Sequence, residues 1–291
     1  MDALTLTLAG IANGSLYALV ALGLVLIYKT QDVVNFAHGE VLMFGAFAGY
    51  VAYRVVGLDY ASSFLIAIVF CGVLGAVTER LFFRRLAHHH HITLAMVTVG
   101  LSFAFKGLAR VPFGADLYTF PPLFPDAKPI QIGSAVVTLQ NLVTIGVAIL
   151  LTASLFLFFR LTTLGKQMRA TQQNLLGARF VGINTGRVFS LTWALACAIG
   201  GAAGVLLGPS SLLYPDMGSN FLLKGFAAAV LGGFESVPGA IVGALLIGVI
   251  EKLVGGYVST AFEHISAYCV IIVVLFVRPY GLFGVKPIHR V

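Results

Sequence analysis

Charge is scarce in this sequence: only 10% of its 291 residues are Asp, Glu, Lys or Arg, against 59% apolar. A water-soluble domain of this size could not hide so much apolar surface in one core, so the chain is expected to be a polytopic membrane protein. Cysteine is also sparse. Cys71, Cys197 and Cys269 all sit inside apolar runs without metal-ligand spacing and read as small packing residues, with no disulfide implied. No Gly-x-x-x-x-Gly-Lys-Ser/Thr occurs. The chain therefore lacks a P-loop with which to cradle nucleotide phosphates, and any ATP must be bound by another subunit. Met1-Asp2 lacks the positive region of a cleaved signal peptide, so the first apolar run is expected to be retained as a span.

The charge that is present has a pattern. A net charge of +7 could point to nucleic acid, but the basic residues alternate with hydrophobic spans as membrane topology demands, and no nucleic-acid partner is expected. The segment 162–187 holds Lys166, Arg169, Arg179 and Arg187 and no acid. Positive loops stay in the cytoplasm. Lys29, Arg80, Arg84, Arg85, Arg160, Arg278, Lys286 and Arg290 fall on the same side, whereas the Pro-rich loop 111–138 carries Lys128 beside Asp116 and Asp126. The expected topology is amino terminus out, carboxyl terminus in.

The apolar runs read as an all-α fold of about eight transmembrane segments in one transmembrane domain, 1–291. They cover 3–28, a second run to 56 after a polar break at 29–40, then 61–83, 92–109, 139–159, 188–207, 221–254 and 265–277. Within 221–254, Gly232, Gly233, Pro238 and Gly239 interrupt the run beside Glu235, which fits a re-entrant or discontinuous helix. Gly45 with Gly49, and Gly200, Gly204 with Gly208, have the four-residue spacing that lets helices approach closely. Shifting the chain by 203 residues lays Asp32 on Glu235 and Gly45 on Gly248, a weak repeat whose copies run in the same direction.

Two places carry candidate function. In 162–187, Leu176, Phe180 and Ile183 recur at a spacing of four then three, an apolar stripe on a basic, Gln-rich background. It fits either a helix lying among lipid headgroups or a docking helix for a cytoplasmic subunit. At membrane depth, Asn35, His38 and Glu40 form the densest polar cluster, which fits a pathway or gate, or equally the capping of a broken helix. An acid–base pair is disfavoured, because residues two apart on a helix do not face each other and no nucleophile completes the set. No enzymatic activity is expected. The run His88 to His91 lacks a Cys or carboxylate to complete a metal site and is assigned no role.

Three blocks carry a resemblance: NGSLYALVALGLVLIYKTQDVVNFAHGEVLMFGAF, ATQQNLLGARFVGINTGRVFSLTWALACAIGGAAGVLLGP and AVLGGFESVPGAIVGALLIGVIE. With them the sequence resembles, nearly end to end, the permease subunits of branched-chain amino-acid-type ABC importers. The resemblance implies a bacterial inner-membrane heterodimer of two homologous permeases, two cytoplasmic ATPases that bind ATP and Mg, and a periplasmic substrate-binding protein. This chain would bind membrane lipid but no cofactor or metal. The segment 162–187 becomes the coupling segment, with Leu176, Arg179, Phe180, Gly182 and Ile183 at the ATPase contact. Asn13, Asn35, His38, Glu40 and Glu235 are the candidates for the translocation pathway. Similar systems carry leucine, isoleucine and valine, and others urea, short amides or aromatic acids, so the substrate stays open. The competing class is a self-contained secondary transporter or channel for a small polar solute, with Asp32, Glu40 and Glu235 in ion coupling. The basic insert and its stripe favour the importer.

Overall fold

A computed structural model describes residues 2–86, 90–124, 126–132, 135–278 and 281–284. His88, His89, Lys286 and Arg290 lie outside the described residues. The helices are α1 (Ala3–Gln31), α2 (His38–Tyr50), α3 (Tyr60–Thr78), α4 (Arg84–Leu86), α5 (His91–Phe113), α6 (Leu139–Leu161), α7 (Thr163–Gln173), α8 (Leu175–Phe180), α9 (Thr185–Leu207), α10 (Met217–Gly232), α11 (Val237–Tyr257) and α12 (Thr260–Val277). π-Helical turns extend α2 through Val51–Val55 and join α3 to α4 through Glu79–Phe83. At one end, β1 (Tyr118–Thr119) pairs with β4 (Leu212–Leu213), and β2 (Ile130–Ile132) with β3 (Ala135–Val137), both antiparallel.

Local sequence sets the boundaries. Thr138, Thr162, Asn174, Asn184 and Ser236 each accept a backbone N–H in the first turn of the helix they precede, satisfying donors that would otherwise be orphaned. α1 stops where Asp32 adopts the left-handed conformation, φ 54°.

Among the described residues, six helices are long and apolar enough to cross a membrane: α1, α3 with its extension, α5, α6, α9 and α11. The expected eight spans therefore resolve differently. α11 is an unbroken helix of 21 residues, so the interruption at Gly233–Ser236 precedes a full crossing rather than dividing one. The partial helices are α10, with 16 residues, and α2, with 13, while α12, with 18, carries the apolar stretch Ile265–Val277.

α1 and α9 form the centre. Their apolar stretches are 89% and 78% buried, against 17% for α6 at the periphery. α1 runs antiparallel to α11, with Gly14 against Leu245 and Gly256 against Leu6. α9 runs antiparallel to α3, with Gly75 against Trp193 and Cys197. α2 lies parallel in the glycine groove of α9, with Gly45 on Gly201 and Gly204 on Leu42 and Ala46. α10 lies parallel on α1, with Gly225 against Val20.

These contacts describe two copies of one unit. α1 packs on α10 and α11 as α9 packs on α2 and α3, and because α1 and α9 run in opposite directions the copies are inverted. The 203-residue offset does not describe this repeat, since Asp32 and Glu235, which it aligns, both belong to helix-terminal turns beside Tyr28 at the insert-bearing end. The insert end carries Lys29, Arg80, Arg84, Arg85, Arg160, Arg278 and the four bases of the insert. The opposite end holds Arg54, Arg110 and Lys252 as well as Lys128, three bases more than the loops alone suggested.

Candidate functional site

After Asp32 the chain turns back into the bundle. The Phe36 N–H donates to Thr98 Oγ1 at 3.1 Å, which anchors the segment to α5. Asn35 caps the new helix: its Oδ1 accepts the Ala37 N–H and its carbonyl the His38 N–H, each at 3.1 Å. α2 therefore begins inside the protein, and so does α10. Their first turns meet at Gly39 and Gly218, where a β-carbon on either residue would fall on the carbonyl of the other.

The side chains at this junction are buried and polar. His38 is fully buried, its ring lying against Gly23 and Gly200, and among the described residues neither ring nitrogen has a hydrogen-bond partner. Glu40 is also fully buried. Its Oε1 faces Lys106 Nζ at 3.5 Å and accepts from Ser219 Oγ at 3.4 Å, the Ser102 hydroxyl lies by the same carboxylate, and Oε2 has no hydrogen-bond partner among the described residues. A carboxylate in the first turn of α2, against the first turn of α10, sits where two helix dipoles place positive potential.

A second buried charge cluster joins α1, α10 and α11. Lys224 pairs with Glu251 and donates to the Tyr17 hydroxyl at 3.1 Å, and that hydroxyl donates to Glu251 Oε2 at 2.7 Å. Each partner answers the charge or lone pairs of the others, which is what lets such groups be removed from water.

The insert forms two helices. α7 is fixed to α6 by Gly165, whose missing side chain lets it lie on Phe158 and Phe159, and Met168 one turn on is fully buried. α8 projects instead. Leu176, Phe180 and Val181 are 64%, 89% and 76% exposed. The helix closes in a Schellman motif: Gly182, at φ 81°, donates to the Arg179 carbonyl, and the Ile183 N–H donates to the Ala178 carbonyl at 3.0 Å. Ile183 thus lies beyond the helix and is half-buried, so the four-then-three spacing does not describe one helical face.

The insert is tied to the core through α9. Arg84 donates to the Gly186 carbonyl at 2.7 Å and to Ser190 Oγ at 2.8 Å while pairing with buried Glu79 at 3.1 Å, and Ser190 also donates to Glu79. One turn further, Trp193 Nε1 donates to Gln31 Oε1 at 2.8 Å and holds the end of α1.

The structure brings Asn35, His38 and Glu40 to one junction. It leaves Asn13 half-buried on α1 and Glu235 exposed in the turn between α10 and α11, apart from that cluster. Leu176, Arg179 and Phe180 share α8, with Gly182 and Ile183 in its closing turn. Lys106, Lys224, Glu251, Glu79 and Arg84 were not singled out from sequence as site residues. A lone lysine inside an apolar run, as at 106 and 224, was the available signal. Among the described residues no cluster of three His, Cys, Asp or Glu is placed to hold a metal.

A family model described as "Branched-chain amino acid transport system / permease component" matches residues 6–277. The chain belongs to this permease family. The high-affinity branched-chain amino acid transport system permease protein LivH of Escherichia coli K12 is 32% identical to it over 295 residues, covering 97% of this chain and 96% of LivH. BraD, the corresponding permease protein named from Pseudomonas aeruginosa, is 29% identical over 294 residues, with the same coverage. Among solved structures, PsaBC from Streptococcus pneumoniae in complex with Fab aligns with a TM-score of 0.53 and 16% identity, over 94% of this chain and 91% of that one. At that identity the likeness concerns the fold. Like its family, the permease is a multi-pass membrane protein, and the relatives named here are transport proteins rather than enzymes.

Proposed function

We propose that the chain is one of two permease subunits of an ATP-driven importer of branched-chain or related amino acids in a bacterial inner membrane. The second permease, two cytoplasmic ATPases and a periplasmic substrate-binding protein complete it, and ATP and Mg belong to the ATPases. The observation that carries this reading is α8: Phe180 and Leu176 stand exposed on a short helix at the end of the bundle where the basic residues concentrate. By the positive-inside rule that end faces the cytoplasm. An apolar knob surrounded by cations there is suited to a protein cleft, and Arg179, Gly182 and Ile183 complete the contact.

The mechanism follows from the inverted repeat. Closure of the ATPases on ATP moves α8, the Schellman turn and the Arg84 clamp pass the motion to α9, and α9 rocks against α1. α2 and α10 begin on this pair of helices, so their junction opens alternately to either side. Asn35, His38 and Glu40 line the route at the junction, with Asn13 and Glu235 toward its two ends. Purification of the assembled complex tests the docking surface. Leu176→Asp with Phe180→Asp should release both ATPases while the permease pair still elutes as a folded species; retention of the ATPases would remove α8 from the contact. A self-contained secondary transporter is the second reading, drawing on the ionisable Tyr17–Lys224–Glu251 cluster. It requires uptake by the single chain from an ion gradient without ATP.

A further inference from the structure

We infer that Glu40 and Lys106 are a receptor for the two charges of an amino-acid zwitterion at the α2–α10 junction; this rests on the amino-acid importer reading above. Glu40 is fully buried. Its Oε1 is shared by Lys106 and Ser219, the Ser102 hydroxyl also lies by the carboxylate, and Oε2 has no hydrogen-bond partner among the described residues. An ionised carboxylate offers about four lone-pair sites, and a buried acceptor left empty loses the hydration that it had in water. A substrate ammonium, with three N–H donors, supplies what Oε2 lacks.

Lys106 is placed to take the other end. Its ammonium touches Glu40 at 3.5 Å, longer than a tight charged hydrogen bond, and its side chain keeps 18% exposure. No other carboxylate pairs with it among the described residues. It lies 5.7 Å from the ring centre of Phe103, which is itself 69% exposed. The first turns of α2 and α10 add two positive dipole ends to Lys106 and Arg110, against the carboxylates of Glu40 and of Asp216, which precedes α10 and pairs with Arg110. That surplus favours a carboxylate beside Lys106 and the Ser219 hydroxyl. The zwitterion is neutral overall, so its two charges replace the long Glu40–Lys106 contact without changing the net charge of the site. An aliphatic side chain would then lie on the exposed Phe103 face.

The alternative is that the pair only offsets the two helix ends. Binding of radiolabelled leucine to the purified permease–ATPase complex, without binding protein, separates the two. Glu40→Gln and Lys106→Gln should each weaken leucine binding at least tenfold. Lys106→Gln should still be competed by leucine amide, which keeps the amine, and Glu40→Gln by 4-methylpentanoate, which keeps the carboxylate. The neutral double variant, which leaves no unpaired charge to disturb folding, should not recover leucine binding. Recovery in the double variant, equal competition by both analogues in both single variants, or absent leucine binding by a wild-type complex with intact ATP-driven uptake would each overturn the receptor. A wild-type complex without ATP-driven amino-acid uptake would instead overturn the importer reading.

Discussion

Gly39 and Gly218 stand backbone to backbone where α2 and α10 begin, each occupying the space that a β-carbon on the other would need. Neither neighbour can give way, because the opposing atoms are main-chain carbonyls. Gly39→Ala and Gly218→Ala should each destabilise the protein by about 1–3 kcal/mol through overpacking. Gly100→Ala and Gly107→Ala on α5, where a β-carbon meets nothing within 4 Å, should be neutral or slightly stabilising. Thermal unfolding of the four variants in detergent checks the contrast.

In the Tyr17–Lys224–Glu251 cluster, removal of Lys224 takes from the buried Glu251 carboxylate the ammonium that it pairs with. Lys224→Met alone should cost about 3–5 kcal/mol, and Lys224→Met with Glu251→Gln should regain most of it. A thermal-stability double-mutant cycle reads the coupling directly.

Arg84 joins α3, through Glu79, to the first turns of α9. In the transmission proposed here, Arg84→Gln should leave the ATPases bound but lower the substrate imported per ATP several-fold. Measuring uptake and hydrolysis on the same proteoliposomes gives that ratio, and an unchanged ratio would take Arg84 out of the transmission.

The His38 ring fills the space that Gly23 and Gly200 leave, with no hydrogen-bond partner for either nitrogen among the described residues. His38→Ala should lower uptake while the complex still assembles. Full uptake and full ATPase stimulation in this variant would reduce the ring to a packing role.

The helical plan was legible because apolar runs and breaker residues are local signals. Span ends near Tyr28, Phe83, Phe159 and Leu207 fall within a few residues of the helix ends seen, and the break before His38 is where α2 starts. The full length of α11 was hidden by Pro238 and Gly239, which read as breakers; yet proline is at home in a helix's first turn, and Ser236 caps it. The stripe from Leu176 to Ile183 was misread by one turn, because Gly182 closes α8 before Ile183 is reached. The inverted repeat left no trace in the aligned residues, since it is a relation between packing neighbours rather than side-chain identities. Lys106, Lys224 and Glu251 could be suspected singly as charges within apolar runs, but their partners lie on other helices, and pairing between helices is not written in local sequence.

The most direct test of the central claim is uptake of leucine into proteoliposomes holding this chain with its partner permease, ATPases and binding protein. Import should require ATP and binding protein, and Phe180→Asp with Leu176→Asp should abolish it while the permease pair remains folded. Uptake by this chain alone from an ion gradient, without ATP, would contradict the account.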